Sequence, residues 1–130
     1  MGRSLEKLGC RPWAHHPRVE MIQGDVLNRE SLDRAAEGCR AAYYLVHSMI
    51  AQKKKYVEAN RMAARNMVAA ASAADHEKII YLGGLADYQQ GHLSRHLQSR
   101  LEVAKILQSG SVPATHLRAP IILGSGSASF

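Results

Sequence analysis

The apolar positions of this chain fall into short runs and helical stripes that alternate along it. Val19 to Gln23 is a brief apolar-rich run ending in Gly24-Asp25-Val26, the pattern of a strand running into a turn. Asn28 then stands where a helix cap is needed, with Leu32, Ala35, Ala36 and Cys39 following at i, i+3, i+4 and i+7 and Gly38 marking the end. On that spacing Cys39 is expected in the core. Ala41 to His47 (AAYYLVH) is apolar over nearly its whole length, which predicts a strand covered on both faces, as in a parallel sheet. A long helix is predicted from about Lys53 to Ala74. Its alanines (Ala59, Ala63, Ala64, Ala70, Ala71) allow close approach to a sheet, and Tyr56, Met67 and Val68 fill the gaps. Lys78 to Leu82 (KIIYL) is the next strand. A further helix starts near Ser94, carries Leu97, Leu101, Ala104 and Leu107 on one stripe, and stops at Ser109-Gly110. Thr115 to Arg118 and Ile121 to Leu123 read as the last strand, interrupted by Pro120.

Strands and helices in strict alternation predict an α/β fold with right-handed crossovers: a three-layer, parallel, Rossmann-like sheet with helices on both faces, all in one domain over residues 1–130. Ligands of such sheets bind outside the carboxyl ends of the strands. The residues to inspect are therefore Asp25 and Val26, His47 and Ser48, Gly83 and Gly84, and those after Arg118.

Composition narrows the function classes. With 46% hydrophobic and 22% charged residues the chain is long enough for one core. Its formal charge of +6 invites a nucleic-acid reading, but apart from Lys53, Lys54 and Lys55 the positive charges are scattered and no aromatic residues interleave with them, so no nucleic-acid partner is expected. Seven histidines lack the H-E-x-x-H pattern of a helical metal site, and no metal is expected. Cys10 and Cys39 are too few and too far apart for a zinc or disulfide framework and read as reduced thiols. No apolar run reaches the eighteen residues of a membrane span and no secretory pattern is present, so a cytoplasmic, membrane-free location is the expectation.

Five segments at the predicted strand ends and helix starts carry a family resemblance: G-D-V at Gly24 to Val26, Y-Y-L-V-H-S-M at Tyr43 to Met49, Y-L-G-G-L at Tyr81 to Leu85, H-L-Q-S-R at His96 to Arg100, and R-A-P-I-I-L-G at Arg118 to Gly124. Together with N-R-M-A-A-R-N from Asn60 to Asn66 they resemble the atypical, NmrA-like branch of the extended short-chain dehydrogenase/reductase family. The resemblance runs from about residue 3 to the end. It implies a domain binding NAD or NADP, with a small-molecule substrate still to be identified. The family's opening strand and G-x-x-G-x-x-G turn have no counterpart ahead of Arg3, where R-S-L-E-K-L resembles the segment after the second strand. The domain is therefore expected to be incomplete, with lowered cofactor affinity, because that turn presents backbone and a helix N-terminus to the pyrophosphate. In the family order two strands separate those at Val19 and Ala41. Either the Val19 strand moves over to pair beside the Ala41 strand, giving four strands in sequence order, or an apolar edge stays open to self-association. The shift is the expected outcome.

The resemblance also distributes roles. It places Asp25 and Val26 at the adenine ring, although a helix-start aspartate and a core valine would look the same. Leu45, Val46 and His47 would cover the adenine-ribose part, and Tyr81, Leu82 and Gly83 would flank the cofactor. Dehydrogenases carry a catalytic serine or threonine at the end of that last strand, where this chain has Gly83-Gly84. His96 and Arg100 occupy the Tyr-x-x-x-Lys positions, keeping the i, i+4 geometry while changing its chemistry. Arg100 could hold ribose hydroxyls but cannot deprotonate. His96 is either a proton donor or, with Arg100, a binding and packing group. Pro120 would skirt the nicotinamide or simply stop strand pairing.

Overall fold

The computed structural model describes residues 1–46, 55–85 and 93–120. Along them run α1 (Leu5–Gly9), α2 (Arg29–Ala36), β1 (Ala41–Tyr44), α3 (Lys55–Ala73), β2 (Lys78–Gly84), α4 (Arg95–Gln108) and β3 (Ala114–Ala119). The strands form one parallel sheet in the order β1-β2-β3, with Tyr44 opposite Tyr81 and Tyr81 opposite His116. The expected parallel sheet holds, and the expected alternation holds from β1 onward.

Local chemistry sets the helix ends. Asn28 sits extended at φ −101° and its Oδ1 accepts from Ser31 N at 3.1 Å, satisfying a donor that the first turn of α2 leaves orphaned. Gly38, at φ +71°, lets the chain leave that helix and turn into β1, a conformation that costs a residue with a Cβ more. Ser94 caps α4 by accepting from Leu97 N at 3.3 Å.

Both crossovers, β1 to β2 and β2 to β3, step in the same direction, so their right-handedness puts α3 and α4 on the same face of the sheet. The core lies there. Leu32 and Ala36 of α2, Ala64, Met67, Ala70 and Ala71 of α3, and Val103, Ala104 and Leu107 of α4 gather over Tyr44, Ile79 and Tyr81. Ala64, Ala70 and Ala71 are wholly buried, and the methyl-sized surface they give α3 lets neighbouring elements approach closely. Gly110 continues this economy: a Cβ there would stand 2.5 Å from Val68 Cγ1.

Several expectations need correction. Val19 to Gln23 is not a strand of the sheet. The chain's own start takes its hydrogen bonds, with Gly2 N donating to Ile22 O and Gly24 N to Gly2 O, both at 3.0 Å, and Gly2 and Gln23 make an isolated parallel bridge. Among the described residues the sheet thus has three strands instead of four, with β1 at its edge. The Ala41 run is a strand only to Tyr44, and it is not covered on both faces: Tyr44 is buried while Tyr43 is 72% exposed. Leu117 of β3 faces the same open side and is 48% exposed. Cys39, expected in the core, is exposed because α2 ends at Ala36 and Gly38 turns the chain before the stripe reaches it. The second half of the last predicted strand, Ile121 to Leu123, and the start of the long helix at Lys53 lie outside the described residues.

Candidate functional site

Because the strands are parallel, Tyr44, Gly84 and Ala119 end at one side of the sheet, and α4 starts there. The glycines explain how closely. A Cβ on Gly84 would lie 2.9 Å from Leu97 Cδ2 and 3.5 Å from Arg100 Cδ, so the bare backbone lets the first turns of α4 rest on the end of β2. This brings His96 and Arg100 to the strand ends. Arg100 Nε donates to His96 Nε2 at 3.2 Å, so the predicted i, i+4 pair is a hydrogen-bonded pair in which the imidazole accepts. Tyr81 Oη donates to the Arg100 carbonyl at 3.3 Å, tying the middle strand to the same helix. Burial raises the pKa of the Tyr81 phenol, with the Arg100 charge opposing. Tyr44, beside it at 5.9 Å between ring centres, is raised further by burial and by Tyr81. Neither is a candidate proton source at neutral pH.

Asp25 and Val26 sit at the start of α2 in a dense net. Leu27 N donates to Asp25 Oδ1 at 3.0 Å, Asp25 N donates to Ser31 Oγ at 2.9 Å, and Asn66 Nδ2 reaches across from α3 to donate to the Val26 carbonyl at 2.9 Å. One carboxylate oxygen of Asp25 thus shapes the turn. The other member of the asparagine pair, Asn60, donates through Nδ2 to Ser99 Oγ at 3.2 Å and links α3 to α4. Sequence reading noticed the pair but not its work, which is to tie α3 to the turn before α2 and to α4.

Leu45 and Val46 follow β1 and are 58% and 37% exposed, an apolar ledge at the strand end. His47 lies outside the described residues. Tyr81 and Gly83 are buried on the helix-covered face, while Leu82 is half-buried on the other, so these three do not share one surface. Pro120 is exposed just past β3. The residue that sequence reading missed is His116. It stacks on Tyr81 at 5.1 Å between ring centres, its Nε2 is buried without a hydrogen-bond partner, and burial and then Arg118 lower its pKa. Only tertiary contact reveals it, since a histidine in A-T-H-L-R-A has no periodic signature. His92 and His96 do stand four residues apart, a spacing that the sequence analysis passed over, but His92 lies outside the described residues. Among the described residues no cluster of potential ligands could hold a metal, and no helix is long and apolar enough to cross a membrane. A cavity of about 450 Å³ between the ends of α2 and α3, lined in part by Asp33, Glu37, Gly38 and Ala74, opens where those helices lead into β1 and β2, away from the strand ends.

A parallel α/β sheet whose strand ends gather an apolar ledge, glycine backbone and a cationic helix start, with a carboxylate at the start of α2, is the frame of a Rossmann-like nucleotide-binding domain. Its mixed donors fit a dinucleotide: Arg100 for anionic oxygen, Leu45 and Val46 for a ring, Asp25 for an amine or hydroxyl. The chain belongs to the NAD(P)H-binding family, whose model matches residues 1–123, in agreement with the cofactor class read from the sequence. Comparison with curated protein sequences finds no match. Among solved structures it is similar to triphenylmethane reductase from Citrobacter sp. complexed with NADP(H), with 21% identity and a TM-score of 0.72 over 90% of this chain and 38% of that one. It is similar also to a nucleoside-diphosphate-sugar epimerase from Staphylococcus aureus (24% identity, TM-score 0.70, 90% of this chain and 39% of that one). An NADPH-dependent quinone oxidoreductase from Escherichia coli complexed with NADPH is similar at 20% identity and a TM-score of 0.69, over 89% and 37%. These likenesses establish the fold, and the chain spans about two fifths of the length of each.

Proposed function

We propose that this chain is the nucleotide-binding part of an atypical, NmrA-like reductase of the cytoplasm, in which His96 and Arg100 take the positions of the tyrosine-lysine pair. The observation that carries this reading is the contact of α4 with the end of β2, in which Arg100, hydrogen-bonded to His96, lies against Gly84, in a member of an NAD(P)H-binding family. NAD(P)H supplies the hydride in such chemistry. The chain's own residues supply binding and a proton: Asp25 and Val26 hold the adenine side, Leu45, Val46 and His47 cover it, and Tyr81, Leu82, Gly83 and Pro120 flank the remainder. Arg100 attracts anionic or hydroxyl oxygen, and His96 is the group able to exchange a proton near neutral pH. The substrate is a small carbonyl or quinone acceptor. Purified parent protein is expected to oxidise NADPH with such an acceptor above background, and His96→Ala to abolish the turnover. Cofactor binding without any turnover sinks the enzymatic reading.

A second reading is favoured by the hydrogen bond itself. His96 Nε2 already accepts from Arg100 Nε, and the Tyr81 hydroxyl is spent on a backbone carbonyl, so the groups best placed for acid–base work are engaged within the protein. On this reading the domain is a non-catalytic module that signals cofactor occupancy to a protein partner. Binding of NADPH that survives His96→Ala, with no oxidation in either form, identifies it.

A further inference from the structure

The helix-covered face of the sheet is apolar or aromatic at the positions flanking β3's third residue: Ala42, Tyr44, Ile79 and Ala114 line it, and Tyr81 has a partner for its hydroxyl. His116 breaks the pattern. It brings a ring nitrogen into that layer and leaves Nε2 buried with no partner. A leucine or isoleucine would fill similar volume without burying a polar atom, so in the unliganded chain the imidazole stacks on Tyr81 but leaves the desolvation of Nε2 uncompensated.

Its address is the strand-end site. His116 is paired with Tyr81, two register steps short of the Gly83–Arg118 pair and on the same face of the sheet. A Cβ on residue 83 would run into His116 Nε2, so the ring takes the space that a side chain at the end of the middle strand would otherwise fill. Gly83 is thereby the residue that admits the ring. Burial and the Arg118 charge both oppose protonation, which keeps the imidazole neutral, with one N–H and one lone pair, at physiological pH. The charged and titratable groups around it are Arg118 on β3, Tyr81 on β2, and the Arg100–His96 pair on α4, which Tyr81 contacts.

We propose that His116 is a ligand-binding residue of this site, one that hydrogen-bonds through its neutral ring to an oxygen on the half of the dinucleotide remote from Asp25. The assignment rests on the nucleotide-binding reading above. The halves are separated by the packing order: α2, with Asp25 at its start, packs on α3, α3 packs on α4, and α4 packs on β2 and β3. Two helix-to-helix steps of about 8–10 Å each separate Asp25's side of the molecule from His116's, more than one ring can bridge.

The test is a titration of the 130-residue chain followed by NMR of the histidine ring and backbone amide resonances, with His116→Leu identifying the His116 ring signals. NADPH, nicotinamide mononucleotide and 5′-AMP are added separately at millimolar concentration, where weak binding is visible. The His116 ring signals are expected to move saturably with NADPH and with nicotinamide mononucleotide, and to stay in place with 5′-AMP. His116→Leu is expected to weaken nicotinamide mononucleotide binding about threefold to tenfold, the scale of one hydrogen bond. If the amides of Asp25 and Val26 respond to NADPH while His116 is silent, the nucleotide reading stands and this assignment falls. A response of His116 to 5′-AMP alone, or an unchanged affinity in His116→Leu, also overturns it. If no resonance responds to any of the three, both readings fall together.

Discussion

Single side chains decide how this domain answers to pH. The His116 pKa is lowered from the usual 6.5, mainly by burial and then by Arg118, so the unfolded chain takes up a proton before the folded one does. Its contribution to stability is therefore complete above pH 6.5 and is lost as the pH falls from 6.5 through the lower folded-state value. Urea unfolding midpoints of the chain and of His116→Leu are expected to diverge on acidification, the wild type losing more between pH 7.5 and 5. Parallel pH profiles would show that the ring titrates as if in water. The glycines at the site illustrate what single letters conceal. Gly83-Gly84 reads in the sequence as a missing hydroxyl, whereas in the fold one glycine admits the His116 ring and the other admits the first turns of α4. Which of these a glycine serves depends on neighbours 13 to 33 residues away, and no local pattern carries that information.

At the scale of elements, caps and stripes were legible because their causes are local. Asn28, Ser94, Gly38 and Ser109 act on donors and acceptors within a few residues of themselves, and α2 and α4 begin and end where those letters stand. Asn28→Ala is expected to cost about 1 kcal/mol, read as a lowered urea midpoint with an unchanged slope. A loss near zero would mean that the Ser31 net alone holds the start of α2. Strand assignment fared worse where pairing decides it. Val19 to Gln23 has the letters of a strand, but a strand exists only beside a partner, and the partner that this segment finds is the short stretch at Gly2. Likewise the apolar run from Ala41 reads as covered on both faces, since sequence reports hydrophobicity and not whether a second layer is present.

For the molecule as a whole, the consequence is an open face and open edges. Tyr43, Leu45 and Leu117 are 72%, 58% and 48% exposed, and among the described residues neither β1 nor β3 has a neighbour on its outer side. Exposed apolar surface next to unpaired strand edges favours association. Sedimentation of the chain is expected to depend on concentration, and Tyr43→Lys to shift it toward monomer; a wild-type chain that stays monomeric at high concentration excludes this. Ligand response is a property of the same scale. Among the described residues no G-x-x-G-x-x-G turn joins a strand to a helix, so NADPH is expected to bind weakly. Equal ligand and dissociation constant stabilise by about 0.4 kcal/mol. A domain of this size then gains on the order of 2 °C in Tm. A rise of several degrees would show that the strand ends bind strongly without that turn.

The sequence by itself determined the alternation of strands and helices from β1 onward, the ends of α2 and α4, the α/β class and the family resemblance. Each follows from spacing and capping that act over a few residues, or from short segments in a recognisable order. Tertiary structure alone decided that the described residues form a sheet of three strands, that its core lies under one face, that Asn66 and Asn60 tie α3 to the turn before α2 and to α4, and that His116 stacks on Tyr81. These depend on which distant segment arrives as a neighbour, and on whether it brings a hydrogen-bond partner or leaves a polar atom without one.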